Sequence, residues 1–146
     1  MNLWLILVAI VVGAGLTFQV GMNGTLGATT GSSIWASVVN FLVGLAALVA
    51  VGLASGSRIA PGAVGQVPAW AWFGGLLGAA YVASVTFLGP RLGAVALLAL
   101  VLLGQMAAAL VVDHYGIVGF PRHAVTPARL LGVVLVAAGA LLVVRR

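Results

Sequence analysis

The sequence predicts an all-α membrane protein with five transmembrane helices in a single domain, residues 1–146, and three observations predict it. Of 146 residues, 64% are hydrophobic and 5% are charged. The mean hydropathy is +1.31, whereas soluble domains carry roughly 25% charged residues. Five apolar runs, about 3–20, 33–54, 69–88, 94–112 and 129–144, separate themselves along the chain. A helix crosses the hydrocarbon with about 20 residues, and shorter runs cross when flanking groups reach the interface. Between the runs collect Gly, Pro, Ser and Arg, the residues of turns and aqueous loops.

Charge excludes several classes of function. There is no Lys and no Glu, and the net charge of +5 comes from six Arg set against Asp113. Those Arg stand singly or at the chain's end beside apolar runs, without the basic face and stacking aromatics that a nucleic-acid surface needs. No cysteine is present, so no disulfide framework or thiolate metal site is expected. The first run has no Lys or Arg before it and is longer than a signal-peptide core, so it reads as a retained helix.

The first helix carries Gln19 near its end, and the connection after it, GMNGTLGATTGSS, reads as irregular backbone close to the membrane. Such backbone is tolerated where protein or a water-filled cavity supplies its hydrogen bonds. Gln19 and Asn23 stand four apart and share a face if the helix continues that far. Asn23 has two readings, an amide that meets a polar solute or a helix cap beside Gly21 and Gly24. The second helix offers Trp35, Ser37 and Asn40, and amides or hydroxyls of this kind hold helices together with about 1 kcal/mol each. SGSRIAPGAVGQVP is an ordinary aqueous loop.

Trp70 and Trp72 open the third helix where an interfacial aromatic belt would sit. Gly74 with Gly78, and Gly75 with Ala79, make small-residue pairs suited to helix packing. Tyr81, Ser84 and Thr86 follow, with Tyr81 able to offer a ring and a hydroxyl to a solute or to a neighbouring helix. Pro90 disfavours helix in the residue before it, so a tight turn is expected around Gly89, Pro90 and Arg91.

The fourth helix holds Gln105 near its middle and Asp113 at its end, about 12 Å apart along the axis. A mid-span polar residue faces the bundle interior and marks a functional hypothesis. Asp113 has two readings: a structural partner of Arg91, Arg122 or His114, or a proton-coupling or gating group. His114 and His123 lack further ligands, so no metal site is expected, and no cofactor or catalytic motif stands in a supporting context. After the polar loop HYGIVGFPRHAVTPAR, the fifth helix ends on Arg145 and Arg146 as interfacial anchors.

Five spans put the termini on opposite sides. Arg58, Arg122 and Arg129 then face Arg91, Arg145 and Arg146, three against three. The positive-inside rule orients a chain through an excess on one side. Balance predicts dual topology, with two copies paired antiparallel into ten helices related as inverted repeats. The other reading is that an unseen partner or the N-terminal amine decides the orientation.

The segments QVGMNGTLG (19–27), NFLVG (40–44), WAWFGGLLGAAYV (70–82), GPRLGAVALLAL (89–100) and LGQMAAALVVDHYGIVGFPR (103–122) together resemble the YdcZ-type family of the drug/metabolite transporter superfamily. The resemblance implies a small-molecule transporter or exporter of the bacterial inner membrane. Half-size members act as antiparallel homodimers or as heterodimers of paired chains. It also marks Gln19, Asn23, Gln105 and Asp113 as recurrent polar positions. The chain departs from the similar small multidrug resistance design in having no Glu in its first helix.

The expected function is therefore carriage of a small solute by alternating access, in a dimer seated in the lipid bilayer. The solute site is expected at Gln19, Asn23, Gln105 and Tyr81, with Trp35 and Asn40 as further candidates. Amides and aromatics without buried charge suit a neutral polar or weakly charged metabolite. A passive channel and a non-transporting assembly subunit are the alternatives.

Overall fold

The computed structural model describes residues 2–145, all of whose regular elements are helical. The helices are α1 (Leu3–Thr30), α2 (Ser33–Ala54), α3 (Phe73–Leu92), α4 (Ala94–Tyr115) and α5 (Pro127–Val144). Short 3₁₀ turns at Ala63–Gln66 and Ala69–Trp72 lead into α3. All five helices are long and apolar enough to cross a membrane, the third span including the 3₁₀ turn before it. Arg146, expected as an anchor, lies outside the described residues. The chain divides after Arg91 into two compact units.

The first unit is built from α1, α2 and α3. Gly31 closes α1 in the left-handed conformation (φ 69°), and Ser32 caps α2 by accepting the Trp35 N–H. The two helices pack as a hairpin. Small residues let α3 approach both: a Cβ at Gly27 would stand 3.5 Å from the Thr86 methyl, and one at Gly78 would stand 4.0 Å from Phe41. Nothing lies within 4 Å of such a Cβ at Gly74 or Gly75, so that part of the expected packing face is open. Ala36, Ser37, Asn23 and Thr86 are buried, whereas Leu48 and Leu53 are 73% and 78% exposed. Small and polar groups inside with large apolar groups outside is the arrangement that lipid, which solvates Leu as well as another helix does, permits.

Two expectations about this unit are corrected. The GMNGTLGATTGSS connection is helical as far as Thr30. The hydroxyls of Thr25, Thr29 and Thr30 donate to the carbonyls of Gly21, Thr25 and Leu26, so these residues satisfy themselves within the helix. Asn23 is therefore a mid-helix residue and caps nothing. At 28 residues, α1 is about 42 Å long and exceeds the roughly 30 Å hydrocarbon core. The expected turn at residues 89–91 is helix too. Pro90 lies in the last turn of α3, where its ring fits against Gly24, whose added Cβ would stand 3.6 Å away. The chain breaks at Gly93, with φ 77° and ψ 155°, a combination that is essentially restricted to glycine.

The second unit is the α4–α5 hairpin. Gly116 closes α4 in the left-handed conformation (φ 65°), and the loop folds back over the helix end. There the N–H of Gly116 bonds the Val112 carbonyl at 2.9 Å and the N–H of His123 bonds the Asp113 carbonyl at 2.7 Å. Arg122 Nε donates to the His114 carbonyl at 3.1 Å. Three terminal carbonyls, which a helix leaves without partners of its own, are thus satisfied. Helix α5 begins two residues earlier than the apolar run suggests, because Thr126 accepts the Arg129 N–H and Pro127 takes the first helical position, where its missing N–H costs nothing.

Candidate functional site

Gln19 and Asn40 come from different helices of the hairpin, and the Gln19 Nε2 donates to Asn40 Oδ1 at 3.3 Å. Asn40 lies seven residues into α2, about 10 Å from its start, and Gln19 lies about 16 Å before the end of α1. The pair therefore stands inside the span. One bond leaves each amide with spare capacity, since a primary amide offers two donors and two acceptor lone pairs. A groove of about 470 Å³ opens onto both, walled by Phe41, Gly44, Leu48 and Val82 among others. That volume falls in the range of small-molecule sites, which pair mostly apolar walls with a few polar groups. Asn23 lies one turn further along α1 and is 3% exposed.

The other expected site residues are placed differently. Tyr81 is half-buried on α3, and Trp35, in the first turn of α2, is 65% exposed. Neither is in the groove wall. Gln105 belongs to the second unit, mid-way along α4, and its side chain is exposed.

Asp113 pairs with a residue that was not among its expected partners. Arg129 Nη1 stands 3.2 Å from Asp113 Oδ2, with the two side chains 41% and 30% exposed. Arg122 is engaged on the His114 carbonyl instead. Thr126 and Pro127 mark where α5 starts, but that Arg129 meets the end of α4 is set by how the intervening loop folds back. A pair this exposed contributes at most about 1 kcal/mol, by screening and by the entropy of holding two side chains. It does offset the placement of an acid at the negative end of a helix dipole.

Five bilayer-length helices carrying an amide-lined groove define a multi-pass membrane protein with a pocket of ligand-like size. Residues 4–142 match the family model described as "Putative inner membrane exporter, YdcZ". The chain belongs to this family, as the resemblance in its motifs implied, and is a multi-pass protein of the inner membrane. No curated protein and no solved structure matches it.

Proposed function

We propose that the chain is a half-transporter that exports a small polar solute by alternating access. Two copies insert in opposite orientations and pair, giving a ten-helix carrier with inverted repeats. The solute is neutral or weakly charged and meets Gln19, Asn40 and Asn23 within the first unit. Tyr81 completes the site within that unit during the transport cycle, with Trp35 at its outer edge, and Gln105 of the second unit offers the solute a separate polar contact. Asp113, held by Arg129 at the end of α4, acts as a gating contact that opens and recloses.

The observation that supports this reading most is the Gln19–Asn40 bond, a neutral interhelical pair on a groove in a unit whose residues 2–91 include no carboxylate side chain. Such a site holds polar groups by hydrogen bonds that can be exchanged one at a time, without the desolvation of a full charge. Cells expressing the wild-type chain and cells expressing Gln19→Leu or Asn40→Leu would be compared for solutes accumulating in the medium, by mass spectrometry. A solute that appears with the wild type and falls about tenfold with each variant is the expected result. Unchanged export by both variants would remove the amide pair from the transport site.

A further inference from the structure

The bond between Gln19 and Asn40 joins one end of each amide and leaves the other end of each free. Gln19 Nε2 donates to Asn40 Oδ1 at 3.3 Å, and among the described residues neither Gln19 Oε1 nor Asn40 Nδ2 has a hydrogen-bond partner. Among those residues the groove of about 470 Å³ has no other polar side chain in its wall, the rest being Phe41, Val43, Gly44, Leu45, Leu48 and Val82. A carbonyl oxygen and an amide N–H left without partners in the apolar part of a span are costly. Each also sets the group that can relieve it.

Asn40 Nδ2 needs an acceptor and Gln19 Oε1 needs a donor, and the two atoms belong to amides already linked N to O. A ligand with N–H and C=O on the same side of one planar group meets both needs. Its carbonyl accepts from Asn40 Nδ2 and its N–H donates to Gln19 Oε1. Three amides then close a ring of three hydrogen bonds in which each donates to the next and accepts from the one before. Exchanging N and O in both protein amides reverses the direction of the ring and leaves it closed, so either orientation of the pair selects the same ligand. Hydrogen bonds that run head to tail polarise and strengthen one another in a low dielectric.

Other polar groups fit these two ends less well. A carboxylate has no proton to give Gln19 Oε1, and the groove wall has no cation to meet its charge. An ammonium has no acceptor for Asn40 Nδ2. A trans amide, as in a peptide chain, points its N–H and C=O in opposite directions. A hydroxyl donates and accepts at a single atom, from which it has to reach both ends.

We propose that this groove selects a neutral cis-amide, the edge carried by lactams, cyclic ureas and oxo-bearing nucleobase rings. The apolar part of the ring lies against Phe41, Leu45 and Val82. On the reading of this groove as the solute site, on which the assignment rests, the exported solute belongs to that class.

The test uses the full-length protein in a neutral detergent, with binding measured by equilibrium dialysis against empty micelles. The probe is oxindole, a fused-ring lactam. Its comparators are N-methyloxindole, which keeps the carbonyl and lacks the N–H, indanol, in which a hydroxyl replaces the amide, and benzoate, a carboxylate. Oxindole should bind saturably, N-methyloxindole about tenfold more weakly or worse, indanol more weakly than oxindole, and benzoate not at all. Asn40→Asp keeps an acceptor for Gln19 Nε2 while removing the N–H that the ligand carbonyl needs, so oxindole affinity should fall about tenfold or more. The comparison among probes uses the wild type alone and does not depend on how a variant folds. No saturable binding of oxindole, equal binding of N-methyloxindole or indanol, or wild-type affinity in Asn40→Asp would overturn the assignment. Binding in detergent and export by cells are read separately. Export lost in Gln19→Leu and Asn40→Leu without a preference for oxindole would remove the cis-amide assignment and leave the export reading. A preference for oxindole with unchanged export would leave a cis-amide site that does not serve transport.

Discussion

In the first unit the polar side chains stand within the span: Asn23 and Thr86 are 3% and 2% exposed, and Gln19 bonds Asn40 from helix to helix. In the second unit the ion pair of Asp113 and Arg129 stands at a helix end, half open to solvent, while mid-span Gln105 is exposed. The difference follows from what each type of group costs in hydrocarbon. A buried charge loses several kcal/mol of hydration and needs excellent partners, so the chain's only acid sits where water and an arginine are at hand. An amide costs far less and can be placed deep, provided it finds a partner. The first unit thus has groups that can meet a solute inside the membrane, and the second has contacts that hold a hairpin closed at the interface.

The largest expected effect on stability breaks that hairpin closure. A Cβ at Gly116 would stand 2.9 Å from Arg122 Cβ, at a left-handed residue (φ 65°). Gly116→Ala should therefore destabilise the chain by about 2 kcal/mol or more, seen as a lower melting temperature in detergent. A wild-type melting temperature would show that the loop over α4 is not fixed as described. Next comes the amide pair. A double-mutant cycle with Gln19→Leu and Asn40→Leu should give a coupling near 0.6–1 kcal/mol, and a coupling of zero would mean that the two amides act separately.

Smaller again is the ion pair. Asp113→Asn should cost under about 1 kcal/mol, and the difference from wild type should shrink in about 1 M salt, where the Debye length is near 3 Å. A loss that salt leaves unchanged would place Asp113 in a role beyond this pair. The smallest effect is expected inside the first unit: Thr86→Val removes a hydroxyl that has no partner while keeping the side chain's shape. It should be neutral or stabilising by up to about 1 kcal/mol. Clear destabilisation would mean that the hydroxyl is bonded after all.

The number and order of helices were legible because each span is a long apolar run. Where the reading stopped short, soluble-protein rules had been applied to helix ends in a membrane. Gly21, Gly24 and Gly27 suggested a loop, yet glycine is common in transmembrane helices, and the threonines around them satisfy their hydroxyls on the same helix. Pro90 suggested a turn, yet it falls where α3 is already ending and Gly24 leaves room for its ring. Of the site, Gln19 and Asn40 were both singled out but not joined, because residue spacing says which groups share one helix and not which helices meet. Arg129 as the partner of Asp113 depended in the same way on how a loop folds back. Thr86 was visible only as one hydroxyl among several, since its lack of a partner is a property of packing.

The antiparallel pairing of two copies is tested most directly by topology. The full chain would be fused at its C-terminus to a reporter active only in the cytoplasm and, separately, to one active only in the periplasm, each expressed alone. Alternating spans would set Arg58, Arg122 and Arg129 against Arg91, Arg145 and Arg146 in the sequence, and on that balance comparable activity of both reporters is the predicted result. Activity of one reporter alone would contradict a homodimer of opposite orientations.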